Sequence, residues 1–312
     1  MVEDLPTLFD ASTCTRKGFC PVTVNGETHR LYYEQHGTGS IPVVFVNGLN
    51  TSSFAWNFQV EALLARQDEY TVIVFDSRGV GYSGYPTGRY TTSAMAEDVV
   101  TLLDFLKISN NIHLVGTSFG GMICQEIAFR IPTRISSLIL AVTTPGGKHV
   151  WNNLPPLQGL KFLIRIFLAN GVEKKVPIVM EMLFPLRWLD QKDERDSRTN
   201  REIQIENEIR RELLTQKQHF MGTISQMCAA LTHYMSSDRL GLISRSVPKV
   251  VIVCGDDDHL VGLKHSRRLK AAMPEAEFIQ WKDTGHGIHF QRPKEFHELL
   301  IKTSKEAIGK KV

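Results

Sequence analysis

Short unbroken apolar runs alternate with helical patterns through the first half of this chain. The runs IPVVFVNG (41–48), YTVIVFDSRG (70–79), NIHLVGTS (111–118) and ISSLILAVT (135–143) are rich in Val, Ile and Leu, and most of them run into a glycine turn. Continuous apolar character over so few residues predicts strands buried on both faces, as in a parallel sheet. Between them, residues 93–108 repeat apolar positions at three- and four-residue spacing, with Thr92 or Ser93 as N-cap, and 120–131 do likewise. Strand and helix in alternation predict right-handed βαβ units and a doubly wound sheet. From 148 to 245 the pattern holds only helical or irregular segments, among them an apolar stretch at 157–169, another at 176–189 interrupted by Pro185, and a charged run at 190–202 that reads as a solvated loop. Strand character returns at 247–255 and 276–283, each followed by a helical pattern. The predicted organisation is therefore a core at 1–147, an all-helical insertion at 148–245 and the rest of the core at 246–312.

Composition narrows the class. With 42% hydrophobic and 22% charged residues among 312, there is enough apolar material for a large core. The formal charge of +3, with no basic stripe interleaved with aromatics, argues against a nucleic-acid partner. No apolar leader opens the chain and no run is long enough to span a bilayer, so a cytoplasmic protein is expected. Cysteines 14, 20, 124, 228 and 254 show no paired spacing and read as reduced thiols, and the sequon Asn50-Thr51-Ser52 then carries no meaning.

The chemistry concentrates at three places. Gly116-Thr117-Ser118-Phe119-Gly120 lies between a predicted strand and a predicted helix. A serine at the tip of so sharp a turn needs small neighbours two residues away, where turn and helix close on each other. A serine hydroxyl is a weak nucleophile until a base takes its proton, and the base needs an orienting acid. Of the eleven histidines, His286 follows Gly285 just past the last predicted strand, at the edge where ligands bind in such sheets. His289 and His259 are rivals. The acid falls within VCGDDDHLVG (253–262), where spacing leaves Asp256, Asp257 and Asp258 equivalent. Adjacent aspartates in one turn rarely converge on an ion, and serine chemistry needs none, so neither metal nor cofactor is expected.

The order Ser…Asp…His, with FDSRGVGYSG, HLVGTSFGGM, GDDDHLV and GHGIHFQRP, resembles the α/β-hydrolase superfamily from about residue 28 to the C-terminus. The resemblance implies Ser118 as nucleophile, His286 as general base and Asp258 as its orienting acid. It also implies backbone N–H groups of Leu49 and Phe119 as an oxyanion hole, and a helical cap over the site. Asn47 stands where the family has histidine and Gln291 where it has glutamate. Asp76 and Arg78 read as braces of a loop. A serine nucleophile sets aside epoxide hydrolases and haloalkane dehalogenases, which use aspartate there. Within the cap, Phe162, Phe167, Phe184 and Trp188 are candidates to line an apolar pocket, with Phe162 and Trp188 as the substrate contacts. Gln226 and His233, seven apart on one predicted helical face, are candidates for its polar contacts. Lys161 and Arg165 within 157–168 would allow contact with a membrane surface. The expected activity is hydrolysis of a small or medium carboxylic ester, lactone or monoacylglycerol, through an acyl-serine. C–C bond hydrolysis and proline-iminopeptidase chemistry are the alternatives within enzymes, and a small-molecule receptor on the same fold is the alternative outside them.

Overall fold

The computed structural model describes residues 5–24, 26–194 and 196–309. In chain order the elements are β1 (Cys14–Val24), β2 (Glu27–His36), β3 (Ile41–Val46), α1 (Asn57–Leu64), β4 (Tyr70–Phe75), α2 (Thr92–Phe105), β5 (Ile112–Thr117), α3 (Phe119–Arg130) and β6 (Ile135–Ala141). Six helices follow: α4 (Leu157–Leu168), α5 (Val172–Leu183), α6 (Leu186–Leu189), α7 (Asn200–Leu214), α8 (Phe220–Leu231) and α9 (Ser237–Ser246). The chain then completes β7 (Lys249–Gly255), α10 (Leu263–Ala272), β8 (Glu277–Trp281), α11 (Ile288–Gln291) and α12 (Pro293–Gly309).

One eight-stranded sheet has the order β1-β2-β4-β3-β5-β6-β7-β8, parallel from β4 onward and antiparallel at the β1–β2 and β2–β4 pairings. Successive side chains of a strand point to opposite faces, and here both faces are covered. Val44, Val46, Ile73, Phe75, Val250 and Ile252 enter a core with α2, α3, α9 and α10. Val43, Phe45, Val72, Val74, Val251 and Val253 enter a second core with α1 and α12. That two-sided burial is why the strands read as unbroken apolar runs.

Three features differ from the sequence reading. The β1–β2 hairpin was not expected, because Pro21, Gly18 and several charged residues break its apolar alternation. As the outermost strand, β1 tolerates a proline whose missing N–H costs no ladder bond on its open side. The N-cap of α2 is Thr91, whose side chain accepts from the N–H of Ala94 (3.0 Å), and not Thr92 or Ser93. Finally, α9 belongs to the helical insertion by sequence but to the sheet's core by packing, since Leu240 and Ile243 join the first cluster. Ala229 of α8 and Met235 join that cluster too, whereas α5 and α6 have an apolar centre of their own, where Val176, Met180, Phe184 and Leu189 meet Ala55 and Phe290 of the core.

Candidate active site

Strand order locates the site before any side chain is considered. From β3 the chain passes through α1 to β4 on one side, then returns through α2 to β5 on the other side of β3. The sheet therefore reverses direction between β3 and β5, and a crevice opens beyond the C-terminal ends of that pair. The loop after β3 carries Asn47, Gly48 and Leu49, and the turn after β5 carries Ser118 and Phe119.

Ser118 has φ 54 and ψ −120, a left-handed conformation that side chains rarely adopt. Its N–H donates to the carbonyl of Ala141 (2.9 Å), and the Thr143 hydroxyl donates to its carbonyl (2.6 Å), so the turn is anchored to the end of β6. The flanking glycines permit it. A methyl at Gly120 would overlap the carbonyl oxygen of Val46, and one at Gly116 would overlap the Cys124 sulfur. A methyl on Gly48 would stand 3.9 Å from the Ser118 Cβ, so the β3 loop lies directly beside the serine. Phe119 opens α3, where backbone N–H groups have no partner within the helix and the helix dipole favours negative charge.

The β3 loop is held by polar side chains. Asn47 donates its amide to the carbonyl of Phe75 (2.8 Å), a contact to the neighbouring strand. Thr51 donates to the carbonyl of Gly48 (3.1 Å). Asn50, itself at φ 56, donates its N–H to Gln226 Oε1 (3.0 Å), and Gln226 Nε2 donates to the carbonyl of Arg78 (2.8 Å). Both ends of the buried Gln226 amide are thus engaged by two core loops. His233 lies beyond the end of α8, so the shared helical face expected for it and Gln226 does not exist. Its Nδ1 pairs with the Thr92 hydroxyl (2.8 Å), docking the chain onto the start of α2.

Asp258 and His286 come together as the order of motifs implied. His286 Nδ1 lies 2.8 Å from Asp258 Oδ2, with both side chains buried. The other carboxylate oxygen, Oδ1, accepts the N–H groups of Leu260 and Val261, each at 2.8 Å. Asp258 is thereby the one aspartate of the three turned inward. Asp256 accepts from the N–H of Thr284 (3.3 Å), tying its turn to the histidine loop. Asp257 faces Arg187 of α6 (3.6 Å) and His259 (3.7 Å) at the surface.

The histidine loop is clamped from two sides. Gln291 Oε1 accepts from the N–H of Gly285 (2.8 Å) while its Nε2 donates to the carbonyl of Asp283 (2.7 Å). A glutamate here would lack the donor. From the insertion, the Leu183 carbonyl accepts from the N–H of Gly287 (2.9 Å), and a side chain at Gly287 would run into the Phe184 ring. Phe162 of α4 lies over His259, ring centroids 6.2 Å apart, and thus borders the Asp258 loop. Trp188 packs on Phe184 (5.0 Å) inside the insertion's own core, and Phe167 points to solvent.

The remaining candidates are structural. Asp76 accepts the N–H groups of Ser53 (2.7 Å) and Tyr82 (2.8 Å); burial pushes its carboxyl up to about 6 despite them. Arg78 makes a two-pronged pair with Asp98 (2.6 and 2.5 Å). The rival His289 is packed between the tilted rings of Trp56 (4.7 Å) and Phe290 (4.1 Å), and burial pushes it down to about 3. Burial likewise pushes His233 and His265 down to about 4. Histidines of this kind are neutral in the native state but protonate in the unfolded chain near 6.5. Their contribution to stability is complete above 6.5 and is lost as pH falls toward 4 and then 3, on the order of 3 kcal/mol each by pH 4. Urea midpoints are expected to drop steeply between pH 6.5 and 4, and His289→Phe to make that slope shallower. An unchanged slope would mean that His289 protonates freely in the folded protein.

The family model for the alpha/beta hydrolase fold matches residues 41–293. Over 282 residues the chain is 29% identical to a protein of Agrobacterium fabrum whose name marks it as a candidate carbamate hydrolase, RutD, covering 87% of this chain and 97% of that one. Among solved structures, an esterase of Thermogutta terrifontis superposes with a TM-score of 0.71 at 22% identity, covering 94% of this chain and 99% of that one. The enol-lactonase of Burkholderia xenovorans gives 0.70 at 22%, covering 91% and 99%. With the strand order, the left-handed serine turn and the Asp–His pair on one sheet edge, a match over most of the chain is decisive: this protein belongs to the alpha/beta hydrolase fold family.

Proposed function

We propose that the chain is a serine hydrolase acting on a small or medium carboxylic ester. Ser118 is the nucleophile, His286 the base and Asp258 the residue that orients it. The observation that carries the reading is the 2.8 Å contact of His286 Nδ1 with a carboxylate already held by two backbone N–H groups, on the edge where Ser118 stands in its left-handed turn. With Nδ1–H held by Asp258, the lone pair of the neutral imidazole is on Nε2, where it takes the proton of the Ser118 hydroxyl as Oγ bonds the substrate carbonyl carbon. Negative charge then forms on the carbonyl oxygen. In this proposal the N–H groups of Leu49 and Phe119 receive it, each contributing about 3 kcal/mol at the transition state. Nε2–H protonates the departing alkoxide, and an incoming water reverses the sequence to free the acid. No step calls for a metal or cofactor.

A carbamate presents the same carbonyl to the same groups, and the relatives' names make it the first substrate class to set against esters. A fluorophosphonate probe, followed by p-nitrophenyl esters of increasing chain length and the matching carbamates, tests the proposal. Stoichiometric labelling with steady ester turnover is expected. Faster turnover of carbamates would move the substrate class, and no labelling of folded protein would leave a receptor as the reading.

The insertion also presents an apolar face. Leu157, Ile164, Phe167 and Leu168 of α4 are mostly exposed, Phe167 at 81%. The only charged residues of α4 are Lys161 and Arg165. Arg165 is paired with Glu181 of α5 (3.1 Å), which leaves Lys161 beside the apolar side chains; apolar residues with a cation fit an anionic lipid surface, and we propose contact with such a surface here. Flotation with phosphatidylserine vesicles is expected to carry the protein, and Phe167→Glu with Leu168→Glu to release it without changing turnover of a soluble short-chain ester. Equal flotation of the variant would remove this face from the proposal.

A further inference from the structure

The outer hairpin brings together three side chains that the proposed reaction does not use. Cys14 at the start of β1 stands opposite His36 at the end of β2, and Glu34 lies two residues before His36 on the same face. One potential ligand atom from each lies within 4.8 Å of the other two. Glu34 and His36 are buried, at 1% and 0% exposure, while Cys14 is half-buried and leaves a way in from solvent.

The protons of this cluster can be followed. The Thr13 hydroxyl donates its single hydrogen to the carbonyl of Asp10 (2.7 Å). Its 2.9 Å contact with His36 Nδ1 must then be received from Nδ1–H. In a neutral ring that leaves Nε2 as a lone pair, and among the described residues this buried atom has no hydrogen-bond partner. It lies 3.3 Å from Glu34 Oε2. Two lone pairs facing each other in a dry place repel, so something positive belongs between them.

We propose that Cys14, Glu34 and His36 bind a zinc-like divalent cation through Sγ, a carboxylate oxygen and Nε2. Nitrogen and oxygen ligands about 2.0–2.1 Å from a tetrahedral zinc are separated by roughly 3.3–3.4 Å, which is the spacing found. The mixture of thiolate, imidazole and carboxylate suits zinc and excludes calcium or magnesium, which take oxygen ligands. The surroundings also match. Thr13 fixes the tautomer and orientation of His36, and the Tyr32 hydroxyl donates to the other Glu34 oxygen (2.7 Å), as groups behind metal ligands do. On binding, the Cys14 thiol releases its proton to solvent and water fills the fourth position.

The role is structural. His36 pairs with Val72 near the start of β4, so the cluster lies at the sheet edge opposite to Ser118. An ion there would pin the segment around Asp10–Cys14 to the sheet, independently of whether the chain is an esterase. No spacing in the sequence marks the site, since 14, 34 and 36 meet only through hairpin register.

The full-length protein, stripped with chelator, is titrated with zinc by calorimetry and with cobalt by absorbance. One zinc per chain is expected, with a raised melting temperature and a thiolate-to-cobalt charge-transfer band. Cys14→Ser should abolish that band and weaken zinc binding by about 100-fold or more, with the zinc-free melting temperature unchanged, while Cys228→Ser at the surface should alter nothing. His36→Gln should also lose binding; if it fails to fold, Cys14→Ser decides alone. Absence of the band, or zinc binding that survives Cys14→Ser, would overturn the site and leave His36 and Glu34 as a buried pair of the hairpin.

Discussion

Asp258→Asn is expected to lower ester turnover by about 10⁴-fold with little change in KM, through the wrong imidazole tautomer. The reason lies in how the carboxylate is held. One oxygen accepts two backbone N–H groups and the other faces His286 Nδ1. Asparagine must keep its carbonyl toward the two N–H donors, which turns its NH₂ toward the imidazole. Nδ1 then becomes the acceptor, the proton moves to Nε2, and the nitrogen facing the substrate side can no longer take the serine's proton. Asp256→Asn and Asp257→Asn should stay within a few-fold of wild type. The first keeps its acceptor for Thr284 N–H, and the second loses only surface pairings with Arg187 and His259. A loss of activity centred on position 257 would assign the orienting role to the wrong side chain here.

Ser118→Ala is expected to do more, removing fluorophosphonate labelling altogether and lowering turnover by about 10⁵- to 10⁶-fold. Stability should change little. The turn is held through the serine's own N–H and carbonyl, bonded to the Ala141 carbonyl and the Thr143 hydroxyl, and the serine hydroxyl makes no capping bond to α3. The Cβ that suffers the left-handed backbone is present in both residues, so no strain is gained or released. A near-native melting curve with no labelling would separate the loss of the nucleophile from loss of the fold. Residual labelling would point to another nucleophile and remove Ser118 from the mechanism.

The two substitutions rest on residues that were legible to different degrees. The serine could be found from local sequence, because a left-handed turn at a strand–helix junction admits only glycine at 116 and 120. The histidine could be placed by its position after the last strand. Among the three aspartates, spacing offered no choice; resemblance to a family singled out 258. The structure supplies the physical reason, since only that carboxylate turns inward onto the N–H groups of the following residues. Gln226 was legible as important but not as what it is. Its partners are Asn50 and Arg78, more than a hundred residues away in the chain, and no helical periodicity encodes such a contact.

The sequence by itself determined the buried strands, the alternation that makes them a parallel sheet, the serine turn and the helical insertion. These follow from local rules: two-sided burial writes a continuous apolar run, and the close approach of turn and helix writes a glycine on each side of the serine. Only the tertiary structure decided which insertion helices pack on the histidine loop, that α9 belongs to the core, and that a charged, proline-bearing hairpin closes the sheet. It alone brings Cys14, Glu34 and His36 together. Each of these depends on register and crossover between distant segments, where packing selects one of many arrangements that the same local pattern allows.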